Sequence, residues 1–216
     1  MNRSGMNVEV IMAIARGIYE LPEILGLNLA IRPGDRILEL GSGLGVIAVL
    51  AAKLAKPMGR VLSFEANPQM IPETIDFLAS HGIENVELRH AVLVPSAGAD
   101  ETREFHLAGS FASSSLLGAS GPRARGSISA PAKGIENVIV EFRPDVLICD
   151  IEGGETELIP ALDASGLRAV VIELHPDRLS AEQIAAIYSA LGRHGLRQSA
   201  KFTGGTVIMF NRDPSP

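Results

Sequence analysis

Tryptophan is absent, and aromatic residues make up only 4% of the 216-residue chain. A core without large rings has to be built from Leu, Ile, Val and Ala, a composition that suits helices packed on a buried parallel sheet. The chain has one cysteine, Cys149, which excludes a disulfide within the chain and fits a reducing compartment. No stretch approaches the ~18 apolar residues of a membrane span. The first residues show no charged segment leading into a long apolar run and a small-residue cleavage site. The expectation is a cytoplasmic protein with no membrane partner. A basic excess is missing too, since 19 Lys and Arg stand against 25 Asp and Glu, for a formal charge of −6. Phosphate contacts need clustered cations. The densest cluster here, Arg123 and Arg125, sits among Gly, Ser and Ala and reads as a solvated loop. No nucleic-acid partner is expected.

What is present is 46% apolar and 20% charged, the make-up of an ordinary globular domain of this length. Residues 7–31 read as helical, with Val10, Ile11, Ile14, Ile18 and Leu21 near helical spacing and Pro22 breaking or restarting the pattern. Residues 1–35 are thus expected to be an N-terminal helical segment, and 36–216 the main domain. Strands are predicted at 36–40, 60–65, 85–90, 145–149 and 168–174, and helices at 46–56, 67–80, 155–162 and 180–194. Residues 196–202 and 206–210, around Gly204-Gly205, read as a closing hairpin. Strands alternating with helices over short connections predict an α/β fold, doubly wound, with a mostly parallel seven-stranded sheet and a C-terminal antiparallel hairpin. The segment 94–133 breaks the rhythm and reads as a long loop with one strand near 104–107.

Gly41, Gly43 and Gly45 fall between the first strand and the first helix after it. They allow a sharp turn and a close ligand, and the free N–H groups at the helix start favour an anionic group. A dinucleotide fingerprint would need a glycine where Val46 stands, and no Gly-Lys-Ser/Thr is present for a P-loop. Glu39, at the end of the first strand, suits a ligand amino group. Glu65, at the end of the second, can accept from both ribose hydroxyls of a nucleoside. A nucleotide-dependent oxidoreductase and a non-catalytic nucleoside-binding protein are the rival readings.

With these features the chain resembles class I S-adenosylmethionine-dependent methyltransferases. The resemblance implies that Gly41, Ser42, Gly43 and Gly45 line the methionine end of S-adenosylmethionine, Glu65 and Ala66 the ribose, and Ala91-Val92 the adenine. S-adenosylhomocysteine would be the product. Asp150, Glu152, Gly153 and Glu155 after the fourth strand, with Glu173 after the fifth, are similar position by position to the FkbM-like family. Phe111 to Leu116 looks like that family's serine-containing loop, while Pro160-Ala161 departs from its pattern. The resemblance spans residues 36 to 175. It implies methylation of a hydroxyl oxygen on a sugar or other small metabolite.

All these carboxylates follow parallel strands and therefore share one edge of the sheet. Asp150, Glu173 or His175 is expected to activate the acceptor. The same groups admit other roles. Asp150 could hold the cofactor's amino group, or Asp150, Glu152 and Glu173, with His175, could form a hard divalent-metal site. Glu155 and Glu157 could serve only the helix dipole, Glu152 could cap that helix, and His175 could be a turn residue. Cys149, inside a strand, reads as a core residue. The acceptor pocket is expected from residues 1–30 and 94–133, and an apolar N-terminal helix could pack on a second copy in a homo-oligomer.

Overall fold

The computed structural model describes residues 20–108, 124–202 and 204–212. In chain order its elements are α1 (Leu21–Ala30), β1 (Arg36–Leu40), α2 (Val46–Leu54), β2 (Arg60–Glu65), α3 (Met70–Ser80), β3 (Val86–His90), β4 (Val92–Val94), β5 (Thr102–Ala108), β6 (Ala124–Gly134), α4 (Ile135–Phe142), β7 (Val146–Cys149), α5 (Glu155–Ala161), β8 (Ala169–Glu173), α6 (Ala181–Arg193), β9 (Arg197–Gln198) and β10 (Val207–Asn211). Seven of the strands form one sheet in the order β3-β2-β1-β7-β8-β10-β9. The first five run parallel, and β10 and β9 add antiparallel at one side. This is the expected doubly wound architecture with its closing hairpin, although β9 is shorter than the predicted 196–202.

Alternation along the strands divides the interior in two. Leu38, Leu40, Leu62, Phe64, Leu147, Cys149, Val170 and Ile172 face one side, where they pack with Ile135 and Val138 of α4, Leu158 and Ile159 of α5, and Ile187 and Leu191 of α6. Ile37, Val61, Val146, Ile148, Ala169 and Val171 face the other, against Leu27 and Ala30 of α1, Ala48, Ala51 and Ala52 of α2, and Leu78 of α3. Layers on both faces leave the edge where the parallel strands end as the open place for a ligand.

Several expectations are corrected. The part of the predicted 7–31 helix before residue 20 lies outside the described residues. Pro22 falls in the first turn of α1, where its missing N–H has no partner to lose. The helix predicted from residue 67 begins at Met70. Asn67 instead accepts from Gln69 N at 3.0 Å and lends its own N–H to Glu65 at 2.7 Å. The largest change is at 94–133, which is not a long loop with one short strand. β5 pairs antiparallel with β6, and β6 pairs in parallel with β4, giving a three-stranded sheet. β6 reads Ala-Arg-Gly-Ser-Ile-Ser-Ala-Pro-Ala-Lys-Gly, with one β-branched residue, so it carries no strand pattern of its own. Its order comes from its partners, through a small core of Val92, Val94, Phe105, Ala130 and Ala132. Pro131 is tolerated because pairing with β4 starts one residue later, at Ala132. The helix α4 has no counterpart among the predicted elements. Its Ile, Val and second Ile-Val pair read as readily as a strand.

Candidate active site

The turn after β1 is held at positive φ by Gly41 (+87°), Gly43 (+50°) and Gly45 (+82°). At Gly41 the requirement is also spatial, since a Cβ there would stand 2.0 Å from the Asp150 carbonyl oxygen. The loop is pinned from three sides. Gly41 N donates to Phe64 O at 2.9 Å, Gly43 N donates to Glu65 Oε2 at 2.9 Å, and Thr74 Oγ1 of α3 donates to Gly43 O at 2.8 Å. Glu65 therefore faces the glycine loop, and each of its oxygens keeps a lone pair for a further donor. Burial raises its pKa, and the N–H groups of Asn67 and Gly43 oppose that rise.

Glu39 is fully buried on the same sheet face as Ile37. One of its oxygens accepts from Ser63 Oγ of β2, and the other has no partner among the described residues. Burial pushes its pKa up to about 8. The Ser42 hydroxyl is likewise buried and unpartnered. Unpaired polar groups of this kind are rare in a protein interior, and these two flank the glycine loop. The residues present thus fit the amino and carboxylate ends of a bound amino-acid moiety.

Beside the loop, a cleft of about 20 Å³ is lined by Gly41, Ser42, Asp150 and Glu173, with Glu20 and Glu23 reaching over it from the start of α1. Among the described residues, no Lys or Arg is in that lining. Burial first, then the nearby Glu173, push the Glu23 carboxyl up to about 7. Burial and the charges of Glu173, Glu152 and Glu155 hold the Asp150 pKa well above the usual carboxylate range. Glu173 is steadied by Thr206 Oγ1 of β10, which donates to its Oε1 at 2.9 Å.

His175 follows β8 and enters the same corner. Its Nε2 lies 3.3 Å from Glu152 Oε2 and 3.6 Å from Asp150 Oδ1, and its Nδ1 lies 3.8 Å from Glu155 Oε1. Glu155 is fully buried and accepts from Ile151 N at 3.0 Å and Gly153 N at 2.7 Å, so it fixes the turn that leads into its own helix. Glu152 does not cap α5. It holds φ +57° and pairs with Arg178 Nη1 at 3.2 Å.

Asp150, Glu173 and His175 are thus brought together next to Gly41 and Ser42. Glu65 and Gly43 form the neighbouring part of the edge, and Ala91 joins it by donating its N–H to Glu65 O at 3.1 Å. Ala66 O is 3.1 Å from His90 Nε2, and Val92 opens β4 as a buried residue. Cys149 is buried in the core, and burial pushes its thiol pKa well up, so it offers no nucleophile. The serine-containing stretch Phe111 to Leu116 and Arg123 lie outside the described residues. Glu20 and Glu23 are absent from the sequence-derived site. The only local signal is a pair of acids at a helix start, which reads equally well as a dipole partner.

Residues 41–198 match the model of the Methyltransferase FkbM domain. Among curated proteins, the tRNA (adenine(58)-N(1))-methyltransferase catalytic subunit of Cryptococcus neoformans is 33% identical over 75 residues, which is 34% of this chain and 17% of that one. The arsenite methyltransferase of Halobacterium salinarum is 37% identical over 73 residues, 34% of this chain and 19% of that one. The chain therefore spans about a fifth of the length of these relatives. Among solved structures, a precorrin-6y C5,15-methyltransferase from Geobacter metallireducens superposes with a TM-score of 0.52 at 17% identity, covering 90% of this chain and 89% of that one, a likeness of fold.

Proposed function

The chain belongs to the FkbM methyltransferase family, a family of S-adenosylmethionine-dependent enzymes, and on that premise we propose that it methylates a hydroxyl oxygen of a sugar or other small metabolite. The observation that carries this reading is the convergence of Asp150, Glu173 and His175 at the strand edge, against the glycine loop. When bound, the cofactor would supply an electrophilic methyl group to the acceptor oxygen, the carbon–sulfur electron pair leaving with sulfur.

The chain's own residues do the rest. The buried Ser42 hydroxyl would meet the methionine carboxylate, and Glu39 its amino group. Glu65 receives the ribose hydroxyls. A hydroxyl acceptor must lose its proton as it reacts, and Asp150, Glu173 and His175 are the groups placed to take it. A carboxyl whose pKa is raised by burial and then by its neighbours, as at Asp150, is a better proton acceptor once ionised. A carboxylate-lined cleft suits a cofactor that carries positive charge and an acceptor that carries none. It repels phosphate, which favours a small neutral acceptor over RNA.

The test is S-adenosylhomocysteine formation with purified protein, S-adenosylmethionine and a panel of hydroxylated acceptors. Turnover is expected with at least one polyhydroxy compound. Of Asp150→Asn, Glu173→Gln and His175→Ala, at least one should lower kcat by roughly 10²- to 10⁴-fold. Wild-type turnover in all three variants would remove these residues from the reaction. Tight cofactor binding with no product from any acceptor would leave a binding protein.

A further inference from the structure

One carboxylate oxygen each from Asp150 and Glu173 and a ring nitrogen of His175 all lie within 4.8 Å of one another. Ligands held at about 2.1 Å from a hard divalent ion are about 3 Å apart when adjacent and a little over 4 Å when opposite. Side-chain rotation alone can bring the three groups into one coordination sphere.

The imidazole is already oriented for such a role. Its Nδ1 faces Glu155, whose two oxygens are locked by the backbone N–H groups of Ile151 and Gly153. Its Nε2 lies between Glu152 Oε2 at 3.3 Å and Asp150 Oδ1 at 3.6 Å, so this nitrogen is the one placed to share an ion with Asp150. An independent observation is the set of orphaned acceptors. Among the described residues, Asp150 Oδ1 is shut off from solvent without a hydrogen-bond partner, and the Ser42 hydroxyl, in a residue only 5% exposed, is unpartnered in the lining of the same cleft. That lining holds, among the described residues, four carboxyl groups and no Lys or Arg.

We infer that Asp150, Glu173 and His175 hold a divalent cation of the Mg²⁺ and Mn²⁺ class, with open coordination positions facing the cleft. Two carboxylates favour a hard ion, and the single imidazole makes Mn²⁺ a good probe. The inference deepens the methyl-transfer reading and rests on it for its consequence. An ion at this corner selects acceptors with two adjacent oxygens that can chelate it, and it raises the acidity of the hydroxyl to be methylated. With Asp150, Glu173 and His175 held on the ion, the proton released from that hydroxyl passes to water or to Glu23 at the cleft mouth in place of direct transfer to one of those three groups.

The experiment is Mn²⁺ titration of the metal-stripped full chain, without cofactor or acceptor, followed by the electron paramagnetic resonance of free Mn²⁺. One site per chain, displaced by Mg²⁺, is expected. Asp150→Asn and Glu173→Gln should abolish it, and Glu155→Gln should weaken it by roughly 10- to 100-fold. Circular dichroism melts report whether the variants fold. Where they do not, selective paramagnetic broadening of the His175 ring signals in the wild-type chain stands in their place. Absence of a site in the wild-type chain, wild-type affinity in both carboxylate variants, or unbroadened His175 signals overturns the inference. Mn²⁺ binding is read without methyl transfer, so the two readings fail separately. Full turnover after exhaustive EDTA treatment, with no Mn²⁺ site, removes the ion alone. A Mn²⁺ site in a protein that methylates nothing removes the activity alone.

Discussion

Burying a carboxyl group favours its neutral form, and Glu39 shows the consequence for pH. Its pKa rises from 4.5 to about 8, so the folded chain holds that proton more tightly than the unfolded one. The stability this contributes is complete below about pH 4.5, declines as pH rises, and is lost by about pH 8. Against Glu39→Gln, the wild-type protein should lose on the order of a few kcal/mol between pH 5 and pH 8, read from urea unfolding at each pH. A difference that does not move with pH would mean Glu39 titrates alike in both states. Gly41 gives a second expectation. Gly41→Ala places a Cβ against the Asp150 carbonyl at a φ of +87°. The strain is roughly 1–3 kcal/mol, and S-adenosylhomocysteine binding should disappear in calorimetry even where the fold survives; unchanged affinity would mean the loop adapts. Asp150, Glu173 and His175 were legible in the sequence as neighbours, because parallel strands deliver their ends to one edge. Glu23 was not, because its approach to Glu173 depends on how a preceding helix crosses the sheet, and local spacing does not encode that.

At the scale of elements, the sequence showed most of the main strands through short apolar runs, as at β1, β2, β7 and β8. It hid β6, whose small residues give no alternation, and α4, whose β-branched residues suit either state. Long-range pairing decides the first and packing of Ile135 and Val138 the second. Helix α6 was readable to within a residue because its start is chemically marked. Ser180 Oγ accepts from Gln183 N at 3.3 Å, and Gln183 Oε1 accepts from Ser180 N at 2.8 Å. Ser180→Ala should cost about 1 kcal/mol in urea unfolding while leaving S-adenosylhomocysteine affinity unchanged. A loss of affinity would mean that α6 reports to the cofactor cleft.

Across the whole molecule, charge sets the partners. With a formal charge of −6 and carboxyl groups around the cleft, the chain should not retain tRNA in a filter-binding assay even at about 50 mM salt, where phosphate contacts are strongest. Retention that falls steeply as salt rises would overturn the small-acceptor reading, whatever the similarity to a tRNA-modifying relative. The three-stranded sheet bears on a different question. β4 runs beside the end of β6, with Val92 opposite Ala132 and Val94 opposite Gly134, so the chain leaves and re-enters the main fold at a single neck. Lengthening a loop whose ends are already joined costs little entropy, and none of the seven main strands pairs with β4, β5 or β6. Residues 95–131 can therefore be lengthened, trimmed or exchanged over evolutionary time without the sheet having to find a new way to fold.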